Sequence, residues 1–324
     1  MNKQRIEWVD TLKFLGIFAI YLGHLGKSGG NAYLFVFKYH VPLFFVISGF
    51  FNKKVELNNY LEYIKTSFKK YMYPYYLFAI VTCVYLTLRN NHFSYTYIVN
   101  IITGTRNRIW LGLWFFSCLF IAKIMYNLLL AITKDKRITF IISLSLYYLL
   151  DLLAKKGIPH IPTLTPKWFW NIDSAFFYLS FYALGDLVFN WLKENYKSMY
   201  CIVLYCISTL IAFDLYFKTN YFKIAHFLRG HFGVFNSILL ASFLILFNIM
   251  IAILLSKIDF LKEIGKETMI LCGTEQLIKL IFTDFLSLFG FSLKMNNPAV
   301  AMIQTFIVLW INYKFMVPIF KKYI

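Results

Sequence analysis

Residues 5–24 read RIEWVDTLKFLGIFAIYLGH, an apolar segment that begins with charged residues and ends on a histidine. At 100° per residue, one face of a helix over this segment holds Asp10, Lys13, Ile17, Tyr21 and His24. Lys13 and His24 then differ by about 20° in direction and by roughly 16 Å along the axis. Taken alone, Lys13 is explained by a side chain that extends to the membrane interface, and His24 by capping or packing. Together on one stripe they indicate a site facing the protein interior, because charge inside an apolar helix is costly in lipid.

The composition is that of a membrane protein. Hydrophobic residues make up 60% of the 324 and charged residues 15%, against about 25% charged residues in soluble domains. The net charge of +18 indicates contact with anionic membrane lipid rather than nucleic acid, because no basic block is interleaved with polar, solvated sequence. The five cysteines lie in apolar runs without a CxxC motif, so we interpret them as free buried thiols and predict no disulfide and no metal site.

Ten apolar segments, each about 20 residues long, are predicted to cross the bilayer. They lie near 10–26, 34–51, 73–89, 112–132, 138–153, 172–192, 199–217, 233–256, 268–289 and 298–317. The sequence shows no repeat, low-complexity tract or long polar linker. It therefore predicts an all-α, polytopic membrane protein, with about ten transmembrane helices in one bundle and a single domain over residues 1–324.

The loops between these segments predict the orientation. An even number of spans puts both chain ends on one side, and the loops of that side hold 17 Lys and Arg residues. The opposite loops hold 10. Because cytoplasmic loops carry the excess of basic residues, we expect a multi-pass protein of the cell membrane with both termini in the cytoplasm.

The second span, FKYHVPLFFVISGFF, carries His40 and Pro42 near its outer end. Pro42 should bend or start the helix and free a backbone carbonyl near His40. His40 is explained equally well by a bond to such a carbonyl and by a role in a site. Ser48 and Gly49 should allow close helix approach near the inner end.

Residues 56–72 are predicted to form a separate amphipathic helix on the cytoplasmic surface, after which Pro74 opens the third span. The lysines of this segment, among them Lys69 and Lys70, are explained by lipid headgroups. They could alternatively receive a phosphorylated cytoplasmic donor.

Aromatic residues stand beside charged ones at two predicted outer boundaries. The first group is Arg106, Arg108, Trp110 and Trp114, and the second is KWFWNID at 167–173, which includes Asp173. Such groups usually form an interfacial belt. The alternative is a wall on which a sugar stacks, with Arg106, Trp114 and Asp173 as substrate-binding residues and Ser48 as a fourth.

The ninth span is the most polar, with Glu275 deep in an apolar run and Lys279 four residues later. A structural i,i+4 ion pair explains this spacing. The alternative, which we favour, is a site residue that binds a substrate hydroxyl or helps to orient His24, because two charges at this depth are rare without a function.

The chain resembles the acyltransferase-3 family of integral membrane acyltransferases, and especially its fucose 4-O-acetylase-like branch. The matching segments run in the order of the family: RIEWVDTLKFLGIFAIYLGH, FKYHVPLFFVISGFF, FKKYMYPYY, LWFFSCLF, NIDSAFFYLSFYALGDL and IGKETMILCGTEQ. The first two are the specific ones. The resemblance implies transfer of an acyl group, usually acetyl, from cytoplasmic acetyl-CoA to a hydroxyl of a carbohydrate, either a polysaccharide or a lipid-linked glycan.

The resemblance also implies roles for single residues. His24 matches the essential histidine, His40 the second-span histidine, and Arg5 and Asp10 the charged entry of the first span. With Glu275 added for its depth in the ninth span, the predicted catalytic set is His24, His40, Glu275 and Asp10. The predicted donor-binding set is Lys13, Lys69, Lys70 and Arg5. Two departures stand out: lysines replace an arginine-rich pair at 69–70, which removes bidentate phosphate contact, and Glu275 stands where many relatives have histidine.

Two other classes of membrane protein fit parts of the sequence. A transporter or flippase of a lipid-linked glycan explains ten spans and intramembrane charge, but not the stripe of Lys13 and His24 joined to the second-span motif. A glycan polymerase or ligase usually needs a larger outer loop than the roughly 22 residues available here.

Overall fold

The structure is a computed structural model that describes residues 5–106, 112–156, 166–218, 236–290 and 297–324, with backbone alone at 154–156. Within these ranges the chain forms thirteen α-helices and no β-strand. They are α1 (Glu7–Gly23), α2 (Asn31–Val36), α3 (His40–Phe50), α4 (Tyr60–Asn90), α5 (Tyr95–Thr103), α6 (Trp114–Thr133), α7 (Lys136–Lys156), α8 (Ile172–Asn195), α9 (Met199–Phe217), α10 (Asn236–Leu255), α11 (Asp259–Lys266), α12 (Thr268–Leu288) and α13 (Pro298–Phe320).

Seven helical segments of the described ranges are long and apolar enough to cross a membrane. They match seven of the ten predicted spans, and the all-α, polytopic fold is confirmed. The three other predicted spans are helical as α1, α7 and α12. However, α1 has only 17 residues and α12 carries Glu275, Lys279 and Asp284. The count of ten spans stays a prediction.

Helix α1 lies at the centre of the bundle and packs against α3, α10, α11, α12 and α13. Its buried residues include Trp8, Asp10, Leu12, Ile17 and Tyr21. Of the predicted stripe, Asp10, Ile17 and Tyr21 are buried and face the interior, while Lys13 and His24 are partly buried.

The start of α1 and the end of α13 lie at the same end of the bundle, beside α11. Lys262 Nζ lies 3.5 Å from Glu7 Oε1, and Lys321 forms an ion pair with Glu267. We call this the terminal end and the opposite one the far end. Because α1 begins at the terminal end, its last residues lie towards the far end.

The predicted second span is divided in two. Helix α2 ends at Val36 and α3 begins at His40, with Pro42 in its first turn. His40 Nδ1 lies 2.7 Å from the carbonyl oxygen of Val36. The prediction that Pro42 starts a helix and that a freed carbonyl lies near His40 is confirmed.

The prediction of a separate surface helix over 56–72 is wrong. Helix α4 runs without a break over Tyr60–Asn90, and Pro74 lies inside it. Proline costs one backbone hydrogen bond within a helix. Tertiary packing of the flanking turns offsets that loss, since Met72 and Tyr75 are fully buried and the Tyr75 hydroxyl donates to the Ile101 carbonyl at 2.7 Å.

The cysteine prediction needs one correction. All five cysteines are free, and four are buried as expected. Cys206 is exposed on α9, because that helix presents its apolar side chains outward, including Ile202, Val203 and Leu210.

Helices α3 and α8 approach each other through two glycines. A Cβ on Gly49 would lie 2.1 Å from the Tyr182 carbonyl oxygen, and a Cβ on Gly185 would lie 2.1 Å from the Val46 carbonyl oxygen. No side chain fits at such distances, so the two backbones are in direct contact. The predicted close approach at Gly49 is confirmed, and it fixes α3 and its His40 against α8.

Replacing Gly49 with alanine should destabilise the protein by about 3 kcal/mol, because backbone atoms cannot turn away from the added Cβ. Gly16→Ala is the matched control: its Cβ would meet the ring of Phe44 at 2.8 Å, and a side chain can rotate. Melting temperatures in detergent measure the difference. Equal melting temperatures for the two variants would contradict the close approach.

Candidate active site

His24 and Glu275 form a buried pair between α1 and α12. His24 follows the last residue of α1, and its Nδ1 lies 2.8 Å from Glu275 Oε2. The His24 side chain is 11% exposed and that of Glu275 is fully buried. Because an ionised carboxylate only accepts hydrogen bonds, this contact assigns the proton to Nδ1 and leaves Nε2 as the basic nitrogen.

Lys279 joins this pair from the next turn of α12. Its Nζ lies 3.2 Å from Glu275 Oε1 and donates to the backbone carbonyl of His24 at 2.7 Å. A cation at the C-terminus of a helix is favourable, so Lys279 also stabilises the end of α1. The sequence left open whether Glu275 pairs with Lys279 or contacts His24. In the structure one carboxylate oxygen of Glu275 contacts His24 and the other contacts Lys279.

A hydrogen-bond network one turn below supports the pair. The Tyr21 hydroxyl donates to the Leu271 carbonyl at 2.8 Å and accepts a short bond from the Asn312 amide. Asn312 Oδ1 in turn accepts from the Thr274 hydroxyl at 2.9 Å. These bonds tie α1, α12 and α13 together, which holds Glu275 in register with His24.

A cavity of about 30 Å³ adjoins His24. We call it the His24 cavity. It brings together four residues that the sequence singled out, namely His24, His40, Arg106 and Trp114. The rings of His24 and His40 meet edge to face with centroids 6.4 Å apart. The predicted bond of His40 to a backbone carbonyl is confirmed. His40 also lines the cavity, and its role in a site stays a prediction.

Arg106 and Trp114 form one wall of this cavity. The Arg106 guanidinium lies over the Trp114 ring, 4.5 Å from its centroid. Buried Asn171 fixes this wall, because its Oδ1 accepts from the Arg106 backbone N–H at 2.7 Å and its amide donates to the Gly104 carbonyl at 2.7 Å. Asn171 and its neighbour Trp170 both have positive φ, 57° and 50°. Such strain is held in place only by surrounding contacts. Arg108 and Trp110 lie outside the described residues.

A second cavity of about 370 Å³ lies towards the terminal end. We call it the lysine cavity, because its lining includes Lys13, Lys70, Lys123 and Lys266. Ser48 lines it too, which places this predicted substrate-binding residue on the terminal side of His24. The lysine cavity and the His24 cavity adjoin, and the residues that line both are Ile20, Phe44, Phe115 and Cys272.

A third cavity of about 1160 Å³ opens beyond the His24 cavity at the far end. We call it the far cavity. Its lining shares His40 and Arg106 with the His24 cavity. Its walls include several aromatic residues, among them Phe35, Phe177, Tyr178, Phe213, Tyr216 and Phe217. The three cavities therefore follow one another from the terminal end to the far end, with His24 at the narrowest point.

Asp10 and Arg5 lie away from His24. Asp10 bonds Arg5 Nε at 2.6 Å and Lys13 Nζ at 3.1 Å, and it stands about 21 Å from His24 along α1. That distance excludes contact with the same reacting atoms, so the expectation of a chemical role for Asp10 is replaced by one of positioning Lys13. Among the described residues, Arg5 forms its ion pair with Asp10 and does not line any of the three cavities.

Two further predicted site residues lie outside the cavities. Lys69 is exposed and does not line the lysine cavity, because consecutive residues of α4 point in different directions. Asp173 is buried at the start of α8, where its carboxylate accepts from the backbone N–H of Lys167 at 2.9 Å and of Ser174 at 2.9 Å. It therefore stabilises the loop before α8 rather than facing a substrate.

The sequence interpretation missed Lys123 and Asn312. Lys123 could have been found, because it is the only charged residue in the 20 residues of α6. Asn312 lies within a mainly apolar helix, and its bond to Tyr21 joins residues 291 positions apart. No local sequence pattern predicts a contact between residues so far apart in the chain.

Comparison with known proteins identifies the family. A family model described as an acyltransferase domain matches residues 6–317, nearly the whole chain. No curated protein and no solved structure matches the chain. The narrower resemblance to the fucose 4-O-acetylase-like branch stays a prediction. On the family match and its apolar helices, this chain belongs to the acyltransferase-3 family and is a membrane acyltransferase.

Proposed function

We propose that this acyltransferase moves an acetyl group from cytoplasmic acetyl-CoA to a hydroxyl of a carbohydrate at the cell surface, with His24 as general base. One observation carries the proposal: the His24–Glu275 pair lies between the lysine cavity and the far cavity. A cationic cavity suits a phosphorylated donor, and an aromatic one suits a sugar ring. His24 is where the two substrates would meet.

His24 has the properties that a general base needs. A neutral imidazole accepts a proton at its unprotonated ring nitrogen, and within the described ranges no hydrogen-bond partner occupies Nε2. Glu275 orients the ring through Nδ1 and stabilises the imidazolium that forms when Nε2 takes a proton. This division of roles between a carboxylate and a histidine recurs in acyl-transfer enzymes of unrelated fold.

The proposed reaction is a single displacement. His24 Nε2 takes the proton of the acceptor hydroxyl, and the oxygen attacks the thioester carbonyl to form a C–O bond. The tetrahedral intermediate then expels the thiolate of CoA by breaking the C–S bond, and the imidazolium returns its proton to that sulfur. Arg106 lines the His24 cavity, and its positive charge would stabilise the negative charge that develops on the thioester oxygen.

The donor would enter from the terminal end. Lysines bind phosphates as point charges, and the lysine cavity offers several. The acetyl end of the molecule would then pass the shared residues Ile20 and Cys272 to reach His24. Lys13 lies eleven residues before His24 on α1, a distance of about 16 Å along the helix axis. The thiol arm of acetyl-CoA would have to extend over this distance.

Lys70→Ala and Lys13→Ala should both weaken acetyl-CoA binding several-fold, with the larger loss at Lys13, and binding should weaken with added salt. Lys69→Ala is the matched control, since Lys69 is adjacent but does not line the cavity. Calorimetry in detergent gives the three affinities. If the affinity for acetyl-CoA is unchanged in Lys13→Ala, in Lys70→Ala and at high salt, these lysines do not bind the donor and serve only to anchor the protein at the membrane surface.

Chemical analysis of the surface glycan tests the proposed reaction in the cell. Cells that lack the gene should lose ester-linked acetate from one sugar position and regain it on complementation. A glycan whose acetate content is unchanged would exclude this acceptor class. A glycan that is missing from the surface altogether would favour a transporter instead.

A further inference from the structure

Lys123 lies in an unusual setting at the middle of α6. Its Nζ is 5.6, 6.0 and 5.9 Å from the ring centroids of Tyr63, Tyr71 and Tyr182. These distances are within the range of cation–π attraction. Nζ also donates to the Tyr182 hydroxyl at 3.4 Å. We call these three tyrosines the tyrosine cage; they hold the ammonium group on the wall of the lysine cavity.

The cage leaves the positive charge of Lys123 uncompensated. Among the described residues, no carboxylate forms an ion pair with Lys123 or with Lys70, whereas Lys13 pairs with Asp10 and Lys266 with Glu263. Cation–π attraction holds a cation in place but supplies no counter-charge. A lysine inside an apolar helix usually pairs or marks a functional site. Lys123 is therefore fixed in position and ready to bind an anion.

The nearest acidic network is already satisfied. Asp186 on α8 bonds Lys136 Nζ at 2.8 Å and the Tyr126 hydroxyl at 2.7 Å. Two asparagines link this network to the cage: Asn127 donates to the Tyr63 hydroxyl at 2.6 Å, and Asn52 accepts from the Tyr182 hydroxyl at 2.9 Å. These bonds orient the tyrosines without neutralising Lys123.

We propose that Lys123 binds the diphosphate of the acyl donor, the phosphate group nearest to the thiol arm. This inference rests on the proposed acetyl-CoA chemistry. Lys123 lies nine residues after Trp114 on α6, about 14 Å below the His24 cavity, whereas Lys70 is on the exposed side of the lysine cavity. In CoA the diphosphate separates the pantetheine arm from the ribose phosphate. The inner lysine therefore takes the diphosphate, and Lys70 is left for the ribose phosphate.

Calorimetry with CoA and with 3′-dephospho-CoA tests this assignment on purified full-length protein. Lys123→Met should weaken the binding of both ligands by roughly tenfold, the loss of one contact to a charged group. Lys70→Met should weaken the binding of CoA and leave that of 3′-dephospho-CoA almost unchanged. Lys123→Arg should retain most of the affinity, and Lys69→Met is the control for a nearby exposed lysine.

Three results would overturn the assignment. Unchanged CoA affinity in a Lys123→Met protein that melts as the wild type does would make Lys123 a structural occupant of the cage. An effect on CoA but not on 3′-dephospho-CoA would assign Lys123 to the ribose phosphate. If the wild-type protein binds neither ligand, CoA is not its donor. That result contradicts the proposed function itself, whereas the first two contradict only the assignment of Lys123.

A measurement on the wild-type chain covers the case in which Lys123→Met does not fold. Amine-reactive labelling, read by mass spectrometry, should be slowed at Lys123 by 3′-dephospho-CoA and left unchanged at Lys69. Equal labelling of Lys123 with and without that ligand would contradict the proposal.

Discussion

His24→Ala should lower acetyl transfer by about 10³-fold, within the range that a positioned general base contributes. The backbone carbonyl of His24 keeps its bond to Lys279, and Glu275 keeps its ion pair with Lys279. We therefore expect the variant to insert and to melt close to the wild-type temperature. Acetyl transfer by purified protein in detergent gives the rate, and the binding of acetyl-CoA should be unchanged.

His92→Ala is the matched control for that variant. His92 is exposed after α4 and lines none of the three cavities, so its loss should leave turnover at the wild-type rate. Full activity in His24→Ala would exclude His24 as the base. A protein that binds no acetyl-CoA would instead give His24 a role in donor binding.

Glu275→Gln should lower turnover by at least about 10²-fold. The amide keeps the size of the side chain and can still accept from Nδ1, but it removes the negative charge that stabilises the imidazolium. It also leaves the partly buried ammonium of Lys279 without its carboxylate, so a moderate fall in melting temperature is expected as well. Rate and melting temperature are measured on the same preparation.

The double variant Glu275→Gln/Lys279→Met separates the two effects. Removing the unpaired ammonium should restore much of the melting temperature, because no buried charge is then left uncompensated. Turnover should stay low, since the charge beside His24 is still missing. A destabilised Glu275→Gln protein with normal specific activity would show that the pair with Lys279 is structural only.

Much of the fold follows from local sequence. Hydrophobic length predicts the helices, and Pro42 predicts the start of α3. The continuous α4 could not be predicted in this way, because the helix passes Pro74 only with the support of buried Met72 and Tyr75. Local propensity favours a break there, and tertiary packing overrides it.

The site could be predicted only along single helices. The stripe of α1 placed Lys13 and His24 on one helical face, and each lines a cavity. The rise of the same helix already separates Asp10 from His24 by about 21 Å. The bond from His24 to Glu275 spans 251 positions, and the cage around Lys123 combines α4, α6 and α8. Contacts of this kind depend on how the helices pack, which no local period encodes.

Transfer of a labelled acetyl group by purified protein tests the proposed reaction most directly. The protein is placed in liposomes with acetyl-CoA labelled in the acetyl group and with surface glycan from cells that lack the gene. We predict alkali-labile label on the glycan, one free CoA thiol for each acetyl group transferred, and no label in the His24→Ala protein. Label that stays on CoA, in a wild-type protein that melts normally and binds the donor, would contradict acetyl transfer to a glycan.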